Sequence, residues 1–190
     1  RAAHWYAKAL AKLEGLARAR VEKRLEEYGD AAEEAGLLQR AVYLADLKEE
    51  SYHVGFGELG KNGNLGYKAN DNPALTKAVV NGKETLHSLS LHPPAKGIAY
   101  ITFKIDGGYR TLLSEVALVD GDGRAAATPL AFRVVGDGPV LWTSKPMTKP
   151  KAPEKLKVRV SGIQTLRLEI DCPGSFMRAH AIWVEPQLIR

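Results

Sequence analysis

The spacing of apolar residues along this chain changes once, near residue 40. Before that point Trp5, Ala9, Leu10, Leu13 and Leu16 recur at helical intervals, and Val21, Leu25 and Tyr28 repeat the pattern beyond Gly15. Gly29 is a helix stop, and Asp30 with Glu33 three residues later reads as a capping box that opens another short helix. The pattern therefore predicts a helical segment over residues 1–40. Two short helices cannot bury their apolar faces alone. They need the rest of the chain, further helices upstream, or a second copy in a dimer.

From residue 41 onward the period becomes two. Ala99, Ile101, Phe103 and Ile105 alternate with Tyr100, Thr102 and Lys104. Phe132 and Val134 flank Arg133. Leu156, Val158 and Val160 alternate with Lys155, Lys157 and Arg159, and Leu166, Leu168 and Ile170 with Arg167 and Glu169. Such alternation marks strands with one buried face. Less regular strands are expected at 112–119, 139–144 and 179–184. A further one is expected in Leu86–Pro93, just ahead of the strand at 98–105. Gly107-Gly108, Asp120-Gly121-Asp122-Gly123, Gly136-Asp137-Gly138 and Pro173-Gly174 supply turns between them. Residues 51–83 are rich in Gly and Asn and read as loop. No helix separates successive strands, so a parallel α/β sheet is excluded in favour of a mainly β, two-sheet antiparallel sandwich over residues 41–190.

Length and composition refine this picture. The 190 residues, 45% apolar and 26% charged, suffice for one good core plus an appendage. No run of about 18 apolar residues is present, so no membrane span is predicted. The chain opens on Arg1 rather than Met, as a piece of a longer protein would. A single cysteine, Cys172, excludes an internal disulfide and a cysteine zinc site. The net charge of +5 is uneven: residues 1–50 carry nine Lys/Arg and ten Asp/Glu, and the remainder eighteen and twelve. Much of the excess lies in Lys145, Lys149, Lys151, Lys155, Lys157 and Arg159. No aromatic residue interleaves these cations as a nucleic-acid stacking platform requires, so they read as a solvated loop and strand face, with no nucleic-acid partner.

Catalytic chemistry finds no support. There is no Gly-x-Ser-x-Gly elbow, no Gly-rich phosphate loop between strand and helix, and no carboxylate pair selected by spacing among Glu58, Glu115, Asp120, Asp137, Glu169 and Asp171. Asp120-Gly-Asp-Gly begins like a calcium loop, but Arg124 takes a ligand position and the closing Glu is missing, so a plain turn is expected. Calcium held by separate loops stays open, and no other cofactor is expected. His87 and His92 are five apart and fall on opposite strand faces, so they cannot share one ion. His87, on the face of Leu89 and Leu91, is expected in the core. His92 is expected at the surface. Sugar binding needs an aromatic face and polar groups. The aromatic residues of the β region include Tyr67, Tyr100, Tyr109, Trp142 and Trp183. Trp183 reads as core, Trp142 as core or rim, and Tyr109 as exposed after its Gly-Gly turn.

Several ordered phrases carry a family resemblance. They are Tyr43-Leu44-Ala45-Asp46-Leu47, Gly55-Phe56-Gly57, His87-Ser88-Leu89-Ser90-Leu91-His92-Pro93 and Val116-Ala117-Leu118-Val119-Asp120. Phe132, Val134, Asp137-Gly138, Leu141-Trp142 and Ser144 follow, and then His180-Ala181-Ile182-Trp183-Val184-Glu185-Pro186. Through these, residues 43–188 resemble the NPCBM family of carbohydrate-binding modules, found attached to glycoside hydrolases and other large bacterial proteins. Ser88 and Ser90 stand where that family has glycines, and Val119 where it has the first of two aspartates. Residues 1–40 lie outside this resemblance and are similar to the last helix pair of a tetratricopeptide-like array.

The resemblance implies a galactose-binding-like jelly roll and a non-catalytic module of a larger, extracellular or cell-envelope protein. Its partner would be a glycan, of galactose type, recognised at a loop edge. Tyr109 or Trp142 would stack on the sugar, His92, Asp120 and Glu58 would bond hydroxyls, and the basic surface would favour acidic glycans. The alternative is a structural or protein-interaction module without sugar binding.

Overall fold

A computed structural model describes residues 41–67, 76–121, 123–150 and 152–190. The expected helices of residues 1–40, and any dimer formed through them, lie outside the described residues. A unit boundary falls between Ala41 and Val42.

The strands, in chain order, are β1 (Ala41–Tyr43), β2 (Ser51–His53), β3 (Gly60–Lys61), β4 (Val79–Val80), β5 (Lys83–Glu84), β6 (Ser88–Ser90) and β7 (Gly97–Lys104). They continue with β8 (Thr111–Leu118), β9 (Ala131–Gly136), β10 (Val140–Thr143), β11 (Glu154–Arg159), β12 (Thr165–Cys172) and β13 (Ala181–Ile189). One sheet runs β11-β8-β13-β6-β3, with β1 added along β13. The other runs β10-β9-β12-β7-β2, and β4-β5 form a small separate hairpin. The expected antiparallel sandwich is thus present. The two apolar runs around His87–Ile105 are consecutive strands of different sheets, with Pro93-Pro94 between them.

The alternating residues do what their period requires. Ala99, Ile101, Phe103, Phe132, Val134, Leu166, Leu168 and Ile170 of one sheet face Leu112, Val116, Leu156, Val158 and Trp183 of the other, all buried in one core. Trp183 meets Phe132 edge-on at 5.4 Å, joining β13 to β9 across the sandwich. Trp183 is fully buried, as its sequence context predicts.

A second apolar cluster sits on the outer face of the six-stranded sheet. Leu65, Ala78 and Val80 from the 60–85 excursion cover Ala117, Val119, Ile182 and Val184. This cover overturns the expectation for the two histidines. A strand with one wet face would put Ser88, Ser90 and His92 in water, but here both faces of β6 are roofed. Ser88, Ser90 and His92 are all buried. His87 precedes the first paired residue of β6 and escapes the core. It is half-exposed and stacks on Tyr43 at 3.8 Å.

Candidate functional site

His92 leaves β6 and lies beneath a ring of aromatic residues. The ring centroids of Phe56, Tyr67, Phe176 and His180 stand 5.6, 6.1, 5.5 and 5.6 Å from it. Four separate chain segments contribute, and local sequence explains how each is held.

Phe56 sits between Gly55 and Gly57. The Gly55 amide donates to the His92 carbonyl at 2.8 Å, and a Cβ on Gly55 would come 2.2 Å from Pro94 Cα. Only a bare backbone can lie this close to the Pro93-Pro94 segment. On the other side, the Glu58 amide donates to Gly66 O at 2.9 Å, and Gly66 has φ +76°. That positive φ turns the chain so that Tyr67 follows directly, its ring 5.9 Å from Phe56. The Tyr67 hydroxyl shares a hydrogen bond of 2.9 Å with His180 Nδ1. His180 is itself anchored through its carbonyl, which accepts from the Val119 amide at 3.0 Å. Phe176 belongs to the 173–180 loop, which is tied down where the Lys96 amide donates to Gly174 O at 2.8 Å.

Burial sets the electrostatics. Desolvation, with the charge of His180 adding to it, lowers the pKa of His92 to about 4, against a smaller opposing effect of the Pro93 carbonyl. His92 is therefore neutral at ordinary pH. Its Nδ1 lies 3.1 Å from Pro93 O. A carbonyl can only accept, so Nδ1 carries the proton and Nε2 is the ring's acceptor. Burial also raises the pKa of Tyr67, which keeps its hydroxyl protonated. Phe56 and Phe176, by contrast, are 50% and 41% exposed, and Met177 beside them is 59% exposed. The arrangement is an apolar rim around neutral polar groups. It can stack on a flat apolar surface and exchange hydrogen bonds with uncharged hydroxyls.

Of the residues singled out in the sequence, His92, the aromatic Tyr67 and Glu58 belong to this end, Glu58 through its place in the 57–66 turn with its side chain exposed. Asp120 is close in the chain to the Val119–His180 contact, but its carboxylate accepts from the amides of Asn81 and Gly82 at 3.0 and 2.7 Å. It caps the β4-β5 turn. Tyr109 lies beyond the far end of β7, is half-buried against the main core, and has the Arg190 guanidinium 5.5 Å from its ring centre. Trp142 is half-buried on the edge strand β10 and also packs on the main core. Neither Tyr109 nor Trp142 approaches His92.

Phe176 was missed. Its signal was present: a large apolar residue just after Pro173-Gly174, in a turn where no strand can bury it. Phe56 and His180 stood in the sequence only as motif residues. Among the described residues no group of three or more His, Cys, Asp or Glu could hold a metal ion.

The comparisons agree with this fold. A CBM51 module from Clostridium perfringens GH95, solved in complex with methyl-galactose, matches with a TM-score of 0.61 and 22% identity over 78% of this chain and 99% of that one. The CBM51-2 and INT domains of Clostridium perfringens ZmpB, solved with GlcNAc, give 0.63 and 16% over 79% of this chain and 31% of that one. The tandem CBM51 modules of Sp3GH98 from Streptococcus pneumoniae give 0.63 and 18% over 80% of this chain and 47% of that one. No curated protein matches the chain. The NPCBM/NEW2 domain matches residues 40–189, and with that the chain belongs to the NPCBM/NEW2 family of non-catalytic carbohydrate-binding modules.

Proposed function

We propose that this module binds a galactose-type glycan at the aromatic end of the sandwich, as part of a larger secreted or envelope protein. The observation that carries the reading is the pair of exposed rings, Phe56 and Phe176, with centres 5.6 and 5.5 Å from that of a buried, neutral His92. The apolar face of a sugar ring would rest on one of them. A hydroxyl would donate to His92 Nε2, and another would bond the Tyr67 hydroxyl or the exposed Glu58 carboxylate. The CBM51 module solved with methyl-galactose supports the sugar type. Attachment of similar modules to an M60 catalytic domain and to a family 98 glycoside hydrolase supports the setting. Among the described residues no helix is long and apolar enough to cross a membrane.

Calorimetric titration of the full 190-residue chain with methyl-galactose tests the reading. Phe56→Ala and Phe176→Ala should each weaken binding by about 1 kcal/mol, roughly fivefold. Unchanged affinity in both variants would move the site elsewhere. No binding to any sugar on a broad glycan array would favour a structural or protein-interaction module instead.

A further inference from the structure

The cations of β11 are not evenly neutralised. Lys155, Lys157 and Arg159 share the outer face of this edge strand because Leu156, Val158 and Val160 take the inner one. Lys155 lies opposite Glu115, with Nζ 3.7 Å from its carboxylate. Lys157 lies opposite Leu113 and Arg159 opposite Thr111, which offer no charge. Arg110 joins them, because the Val160 amide donates to the Arg110 carbonyl at 2.8 Å. Together Arg110, Thr111, Lys157, Arg159 and Ser161 line an open pocket of about 620 Å³.

None of the three pocket cations makes an ion pair among the described residues. The opposite face of the molecule handles its cations differently. On the five-stranded sheet Arg133 pairs with Asp171, and Arg167 with Glu169. Clustering three unpaired like charges is mildly unfavourable for the fold and is offset when an anion enters. Two guanidinium forks and an ammonium beside two hydroxyls suit an oxyanion.

We propose that this pocket binds an acidic substituent, a sulfate ester or a carboxylate, carried by a glycan. The choice of a glycan as carrier rests on the carbohydrate-binding reading above. None of the described residues that line the pocket is aromatic, so they offer no platform for a nucleic-acid base. It lies at the entry to β8, whereas His92 and His180 lie at its exit. The eight residues of that strand put roughly 25 Å between the two places, so the pocket is a separate site.

The test titrates the full chain with three probes: a sulfated heparin octasaccharide, a galacturonic acid octasaccharide, and a single-stranded oligonucleotide of matched charge. At least one acidic sugar should bind, with affinity falling as salt rises. The variant Arg110→Gln/Lys157→Gln/Arg159→Gln should lose about tenfold or more of that affinity. Arg159→Lys alone should lose part of it, because it keeps the charge but not the fork. Lys155→Gln, outside the pocket, should lose little. Equal binding by the triple variant, or no binding of either sugar at about 1 mM, would overturn the proposal. So would an oligonucleotide that binds as tightly as the better sugar, which would mark a general polyanion surface. Thermal melts establish that the exposed substitutions leave the fold intact. Because methyl-galactose is titrated separately, failure at this pocket and failure at the aromatic end are distinguishable.

Discussion

Single residues decide the chemistry of the aromatic end, and His92 is the clearest case. Its pKa is about 4 in the fold against 6.5 in an open chain. Between these values the unfolded state binds the proton and the folded state does not. Stability should therefore fall as pH drops from about 6.5 to 4, by up to about 3 kcal/mol from this residue, and level off below. His92→Asn keeps an amide donor near the Nδ1 position for the Pro93 carbonyl and removes the titration. Thermal melts across this range should show a shallower decline for the variant than for the wild type, and identical declines would remove His92 from the account. Asp120 makes a contrasting prediction. Its carboxylate caps the β4-β5 turn, so Asp120→Ala should cost about 1 kcal/mol of stability and leave methyl-galactose affinity unchanged. Lost affinity at preserved stability would return Asp120 to the binding site. The sequence picked out both residues; it expected the turn that the Gly123 amide closes on the Asp120 carbonyl, but placed His92 at the surface. What it lacked was the cover laid over the six-stranded sheet by Leu65, Ala78 and Val80, about eight to twenty-five positions ahead of β6, a contact that no local period records.

At the level of elements, strands with one wet face were legible and strands covered on both faces were not. β7, β11 and β12 carry one face into the main core and show a period of two, whereas β8 and β13 are also covered on the outer face, at Ala117 and at Ile182 and Val184, and read less regularly. β6 is buried on both faces and spans three residues, too few and too uniformly covered for a period to show. The turns around Phe56 were legible as glycine-rich but not as a scaffold, because the constraint is backbone against backbone. Gly66 carries that constraint. A Cβ there would stand 2.0 Å from Glu58 O, at a φ that side chains rarely adopt. Gly66→Ala should destabilise the protein by about 2–3 kcal/mol, from the left-handed strain and the clash together. It should also weaken methyl-galactose binding more than Phe56→Ala does, since Tyr67 is displaced along with Phe56. Retention of both the melting point and the affinity would show that the 57–67 turn does not position the site.

Across the whole molecule, the sandwich separates two surfaces of opposite character. One end presents apolar rings around neutral donors and acceptors. The other presents cations that make no ion pair among the described residues, beside hydroxyls. The rigid β8 connects them, and its inner side chains lie in a close-packed core that does not deform gradually. Neither site borrows a residue from the other. Groups so far apart, without shared partners, contribute additively to within about 0.3–0.5 kcal/mol. Saturating the chain with methyl-galactose should therefore leave the affinity for the acidic octasaccharide unchanged within roughly twofold, and the reverse should hold by linkage. A glycan bearing a terminal galactose and an acidic residue at the matching distance would gain from both sites at once. Its affinity should exceed that of either fragment by far more than twofold, and the excess should vanish in either Phe56→Ala or the triple cation variant. An excess that survives both substitutions would mean that the two surfaces do not cooperate in holding one chain. Mutual weakening of the two small ligands would mean that they compete for one place, and would place the acidic group at the aromatic end.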